Sequence, residues 1–108
     1  MLPGHTNQSN GMPPPPLQLD GANVLYWATS RLGLFHTIPH GADPATGDVI
    51  SVAAMAICRY VDGDRYYLFK CDRDWEVVFD WDAFSIDEAQ DIASQHVGGE
   101  MIEWHAAV

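Results

Sequence analysis

Ala54-Met55-Ala56-Ile57-Cys58-Arg59-Tyr60-Val61-Asp62-Gly63-Asp64-Arg65-Tyr66-Tyr67-Leu68-Phe69-Lys70-Cys71 is the stretch that decides the fold. Two apolar runs flank Asp62-Gly63, a dipeptide suited to a type I′ hairpin turn because both central residues need φ > 0. Taking 50–61 and 65–71 as strands, Tyr60 faces Arg65, Cys58 faces Tyr67, Ala56 faces Phe69 and Ala54 faces Cys71. Successive side chains point to opposite sides of a strand. One face therefore carries Ala54, Ala56, Cys58, Tyr60, Tyr67, Phe69 and Cys71, with Arg65 at its end. The other carries Met55, Ile57, Arg59, Val61, Asp64, Tyr66, Leu68 and Lys70. A slip of one residue would place Arg59 or Lys70 among the rings, so the pattern selects this register.

The register also separates the cysteines. Cys58 and Cys71 share a face but stand about 13 Å apart along the ladder, at roughly 3.3 Å per residue. A disulfide needs Cα atoms within about 7 Å, so two free, buried thiols are expected.

Outward from the hairpin, residues 75–81 alternate as a third strand, with Trp75, Val77, Phe79 and Trp81 apolar and Glu76 and Asp80 charged. A three-residue turn at Asp72-Arg73-Asp74 would set Trp75 opposite Cys71 and Val77 opposite Phe69. A helix over 86–97 follows. Ser85 and Glu88 form a capping box, and Phe84 and Ala89 stand at staple positions. Ile86, Ala89, Ile92, Ala93 and Val97 make its apolar stripe. The small Ala89 and Ala93 would let it lie close on the ring-rich sheet, and Gly98 suits the C′ position. A last strand is expected over 101–105, with Ile102 and Trp104 facing in. Upstream, residues 24–29 read as a first strand after the Asp20-Gly21 turn. Residues 30–48 read as one long loop.

Residues 1–18 are expected to form a disordered, Pro-rich leader, with Pro13 to Pro16 in polyproline II. Such a run can serve aromatic-groove domains. Residues 19–108 then form a single α+β domain. It is a mostly antiparallel sheet of about four to five strands with one amphipathic helix packed on one face.

The chain carries a formal charge of −10 from fifteen acids and five bases. Residues 1–58 hold Asp20, Asp43 and Asp48 against Arg31, so −8 of that charge lies after residue 58. An acidic surface repels phosphate, which argues against nucleic acid and anionic membranes. No apolar run approaches the length of a membrane span. No secretory signal pattern is present, and a cytoplasmic setting with reduced thiols is the expectation.

Chemistry-bearing motifs are sparse. Ser30, Ser51, Ser85 and Ser94 lie outside any GxSxG context. No GxGxxG or Walker motif supports a nucleotide, and no cofactor is expected. His36 and His40, with Asp43, are weak metal candidates in the 30–48 loop, since Pro39 and Gly41 oppose the helix that would align the two rings. Asp62/Asp64, Asp72/Asp74 and Asp80/Asp82 have Asp-x-Asp spacing but lack a calcium loop's closing Glu. Turn chemistry accounts for them. Asp72, Arg73, Asp74, Glu76, Asp80 and Asp82, set among rings, form a candidate docking patch for a basic protein.

Tyr67-Leu68-Phe69-Lys70-Cys71-Asp72-Arg73-Asp74-Trp75-Glu76-Val77, Ser85 to Ala89 and Trp104 resemble a group of short bacterial proteins. That group shares a YLF-x-CD-x-x-W-x-V stretch, an S-x-x-E-A helix start and a late Trp. Leu19 to Ala22 and Ala56 to Tyr60 also fit. The shared positions read mostly as sheet, turn and cap residues that carry fold information and little about activity, and size and acidity are similar to those of immunity proteins by analogy. The leading expectation is thus a non-enzymatic, immunity- or antitoxin-like protein with a basic protein partner. The alternatives are a metal- or ligand-binding enzyme using loop 30–48, and a structural module that forms a homodimer through its sheet edges.

Overall fold

The computed structural model describes residues 12–39, 49–98 and 101–107. Its elements in chain order are β1 (Gln18–Leu19), β2 (Ala22–Thr29), β3 (His36–Pro39), β4 (Val49–Val52), β5 (Ala54–Arg59), β6 (Tyr66–Cys71), β7 (Val77–Ala83), α1 (Ile86–His96) and β8 (His105–Ala106). The fold is α+β. The main sheet is antiparallel in the order β1-β2-β5-β6-β7, with β8 also pairing with β2, while β3 and β4 form a separate antiparallel pair.

The central hairpin has the expected register: Ala54 pairs with Cys71, Ala56 with Phe69 and Cys58 with Tyr67. Its turn is built differently. The Gly63 N–H donates to Tyr60 O at 3.0 Å, centring the turn on Val61 and Asp62. Neither Asp62 nor Gly63 has positive φ. Arg59 Nε–H donates to Gly63 O at 2.9 Å and holds this wider loop. Both ways of crossing conserve the residue pairs, so the alternation of the strands sets the register whatever the turn type.

Both faces of the hairpin are covered. Ala54 to Cys58 and Leu68 to Cys71 are buried. The helix takes the face opposite the rings: Ala89 and Ala93 pack with Met55, Ile57 and Leu68. Burial of each of those three larger side chains is worth about 1.5–3 kcal/mol. The ring-bearing face is covered by the N-terminal segment, where Met12, Leu19, Ala22 and Val24 join Phe69, Cys71 and Trp75. The described part of the expected disordered leader is therefore docked. Trp75 Nε1–H donates to Pro13 O at 2.9 Å, and β1 pairs with β2. Residues 1–11 lie outside the described residues.

The third strand departs from expectation. Cys71 pairs with Val77 and not with Trp75, and after a bulge Lys70 pairs with Phe79, Phe69 with Asp80 and Leu68 with Trp81. The connection runs over 72–76 because the Asp72 carboxylate organises it. Asp72 Oδ1 accepts from Asp74 N at 2.8 Å and from Glu76 N at 3.0 Å. Trp75 closes the turn at φ 63°, a region costly for a bulky side chain. Its buried indole holds it there through the Pro13 bond and an edge contact to Trp27 at 6.1 Å. The altered register turns Phe79 and Trp81 to the helix side and Asp80 and Asp82 to the ring side.

The expected loop over 30–48 is corrected over residues 30–39, while 40–48 lie outside the described residues. Fully buried Ser30 builds a tight turn, its Oγ donating to Leu34 O at 3.0 Å and accepting from Leu32 N at 3.1 Å. His36–Pro39 is then strand, paired with Val49–Val52. The helix starts as expected, with Ser85 Oγ accepting from Glu88 N at 3.0 Å. The Glu88 carboxylate reaches the Phe84 N–H at 2.6 Å. Phe84 does not staple onto Ala89. It is 73% exposed, and the Arg65 guanidinium lies 4.6 Å from its ring centroid. Ile102 and Trp104 do face the helix-side core, although the terminal strand begins only at His105.

Candidate functional site

The acidic residues fall into two roles. Asp72 is consumed by its own turn. Asp82 pairs with Arg65 at 3.1 Å, both side chains being largely exposed. Such a pair contributes about 0–1 kcal/mol. Arg73 lies beside Gly33, which it approaches from the same turn. The carboxylates of Asp74, Glu76 and Asp80 take no partner among the described residues. They border β7, the terminal strand of the main sheet, whose outer edge is unpaired among the described residues. Phe79 and Trp81 project from the same strand, 39% and 44% exposed.

On the helix side of β7 lies a cleft of about 260 Å³, lined by His36, Thr37, Ile38, Lys70, Phe79, Trp81 and His96. β3, β6, β7 and α1 each supply a wall. Lys70 is only 3% exposed. Its Nζ lies 2.8 Å from His96 Nδ1 and 5.4 Å from the Phe79 ring centroid. The ammonium can only donate, so His96 Nδ1 accepts and its proton sits on Nε2. No carboxylate is paired with Lys70 among the described residues. Burial pushes its pKa below the usual lysine range.

The two imidazoles complete the cleft. His36 Nδ1 is 3.3 Å from Thr37 O, and a carbonyl can only accept, so Nδ1 carries the proton. His36 Nε2 is then a buried lone pair without a partner among the described residues. The rings of His36 and His96 meet edge to face at 6.5 Å, and Trp81 stands over His96 at 5.1 Å. Burial lowers both histidine pKa values; the Lys70 charge lowers each further, and His36 also depresses His96. The bond to Thr37 opposes the shift at His36.

Sequence reasoning reached His36 for another purpose. Its proposed companions His40 and Asp43 lie outside the described residues. Among the described residues no group of three or more His, Cys, Asp or Glu side chains is placed to hold a metal ion. Lys70 and His96 were not singled out as a site. The available signal was the lone cation in an otherwise apolar run, Tyr66 to Cys71. Cys58 and Cys71 are free and buried as expected, and burial pushes the Cys58 thiol up to about 12. Burial raises Cys71 as well, so neither thiol is a nucleophile at neutral pH. No described helix is long and apolar enough to cross a membrane. No family model, curated protein or solved structure matches the chain.

Proposed function

We propose that the chain is a non-enzymatic binding protein that docks a basic protein partner along β7 and the acidic turn before it, in the manner of immunity or antitoxin proteins. One observation carries this reading. A terminal strand exposes Phe79 and Trp81 on its helix side and carries Asp80 and Asp82 on its other side, with Phe84 just beyond it, so its outer edge presents both. Exposed rings supply contact energy at interfaces. Carboxylates along the same edge steer a cationic surface and speed its encounter. A free strand edge offers backbone groups for strand addition.

The same charges favour a different chain over a second copy. Antiparallel self-pairing along β7 would bring Asp80 and Asp82 of two −10 molecules together, and like charges directly opposed are destabilising. Nucleic acid is disfavoured on the same ground. The two free buried thiols fit a reducing, cytoplasmic setting.

The test is binding to the purified products of the neighbouring genes, compared across wild type, Asp80→Lys and Trp81→Ala. The expected result is a salt-sensitive complex that charge reversal at Asp80 weakens at least tenfold. Absence of any complex, or equal affinity for all three proteins, would sink the proposal. Concentration-dependent dimerisation that blocks partner binding would instead assign the β7 edge to self-association.

A further inference from the structure

The cleft between β3, β7 and α1 holds a cation that no carboxylate among the described residues neutralises. Lys70 is 3% exposed, and its near neighbours are a neutral imidazole and a phenyl ring. An isolated buried ammonium is costly, and buried charges are normally paired or coordinate a ligand. Beside it, His36 Nε2 is buried with no partner among the described residues. A cation with no paired carboxylate and a ring nitrogen with no hydrogen-bond partner, both among the described residues, thus share one small cavity. In a chain of formal charge −10 this cleft is locally basic.

We propose that this cleft binds a small monocarboxylate. The carboxylate accepts from Lys70, two of whose three N–H donors remain after the bond to His96. His36 takes up a proton at Nε2 and becomes a second donor. The ligand's apolar body lies against Phe79 and Trp81, which form the open side. The apolar walls favour a carboxylate with a hydrocarbon body over inorganic phosphate, whose remaining oxygens would lose their water against the rings.

Among the described residues, the titratable groups facing this site are Lys70 from β6, His36 from β3 and His96 from α1. β7 contributes only Phe79 and Trp81, since Asp80 and Asp82 belong to the opposite side of the sheet. Ligand binding therefore adds charge complementarity that no carboxylate among the described residues supplies, and proton uptake accompanies it. The two readings share Phe79 and Trp81 but rest on different polar groups, Lys70 and His36 on the floor of the cleft here and the carboxylates of β7 for the partner, so the Lys70 and Asp80 variants tell them apart.

Benzoate is a suitable probe, with benzamide as its uncharged analogue and inorganic phosphate as a second control. Titration calorimetry in buffers of different ionisation heat, at pH 7.5 and pH 5.5, should show saturable benzoate binding. Affinity should rise several-fold at the lower pH, with net proton uptake. Benzamide and phosphate should bind at least tenfold more weakly. Lys70→Met should lose at least tenfold in benzoate affinity, whereas Asp80→Lys should not lower it. In the unmodified protein, NMR resonances of the His36 ring and the Lys70 ammonium should move with benzoate and stay still with benzamide. No saturable benzoate binding, equal binding of benzamide, or unmoved His36 and Lys70 resonances would each overturn the proposal, however the Lys70 variant folds.

Discussion

Replacing Lys70 by Met should make the protein more stable. Met has a similar length and no charge, and the site is almost closed to solvent. Three terms set the magnitude. Removing the buried ammonium relieves a desolvation penalty of several kcal/mol per ion. His96 Nδ1 loses its donor, at about 1 kcal/mol, because that ring is only half-buried and can find water. The contact with the Phe79 face, 5.4 Å from the ring centroid, forfeits about 0.5–1 kcal/mol. The balance is a gain of about 1–3 kcal/mol. For a domain of this size each kcal/mol moves Tm by about 4–8 °C. Urea unfolding at pH 7 measures it directly. The gain should shrink as pH rises. The folded pKa of Lys70 lies below the ordinary 10.5, so above that folded value the wild type buries a neutral amine and recovers stability, which is complete above the unfolded value. A Lys70→Met protein less stable than wild type at pH 7, or a gain that persists above pH 10.5, would refute the idea of an uncompensated cation.

Other outcomes follow from the same structure. Trp75→Ala removes a buried indole, its bond to Pro13 O and its contact with Trp27. It should cost about 3–5 kcal/mol and expose residues 12–18 to protease in limited digestion. His36 and His96 both have folded pKa values below the ordinary 6.5. Their contribution is therefore complete above pH 6.5 and lost as pH falls through the folded values. Thermal denaturation should show a falling Tm between pH 7 and pH 5 that a His36→Phe, His96→Phe double variant flattens. Cys58 and Cys71 should resist a thiol reagent in the native protein and both react once it is unfolded. Ser85→Ala should cost about 1 kcal/mol in urea unfolding, the worth of one helix cap.

The readable parts of the chain were those governed by local rules. Strict alternation on both sides of Asp62-Gly63 specified which residues pair, even though the turn itself was misassigned. The cap at Ser85 and the small-residue stripe at Ala89 and Ala93 were legible for the same reason, because their partners lie within one or two helical turns. The β7 register was not. It depends on Trp75 adopting positive φ, and that conformation is held by Pro13, a residue far away in sequence. The docking of residues 12–18 was equally illegible. A Pro-rich segment builds no core of its own, but here it seats Met12 against one that already exists.

By itself the sequence determined an α+β sheet with a capped helix, the hairpin register and two separated, unbonded thiols. These follow from side-chain alternation and short-range hydrogen bonding. Only the tertiary structure decided that both faces of the hairpin are covered, and that Phe79 and Trp81 turn toward α1. It alone gathered Lys70, His36 and His96 into one cleft. Those side chains come from three different elements, and what makes them a site is the loss of water around them. No spacing along the chain encodes that loss until the helix and the β3–β4 pair have closed over the sheet.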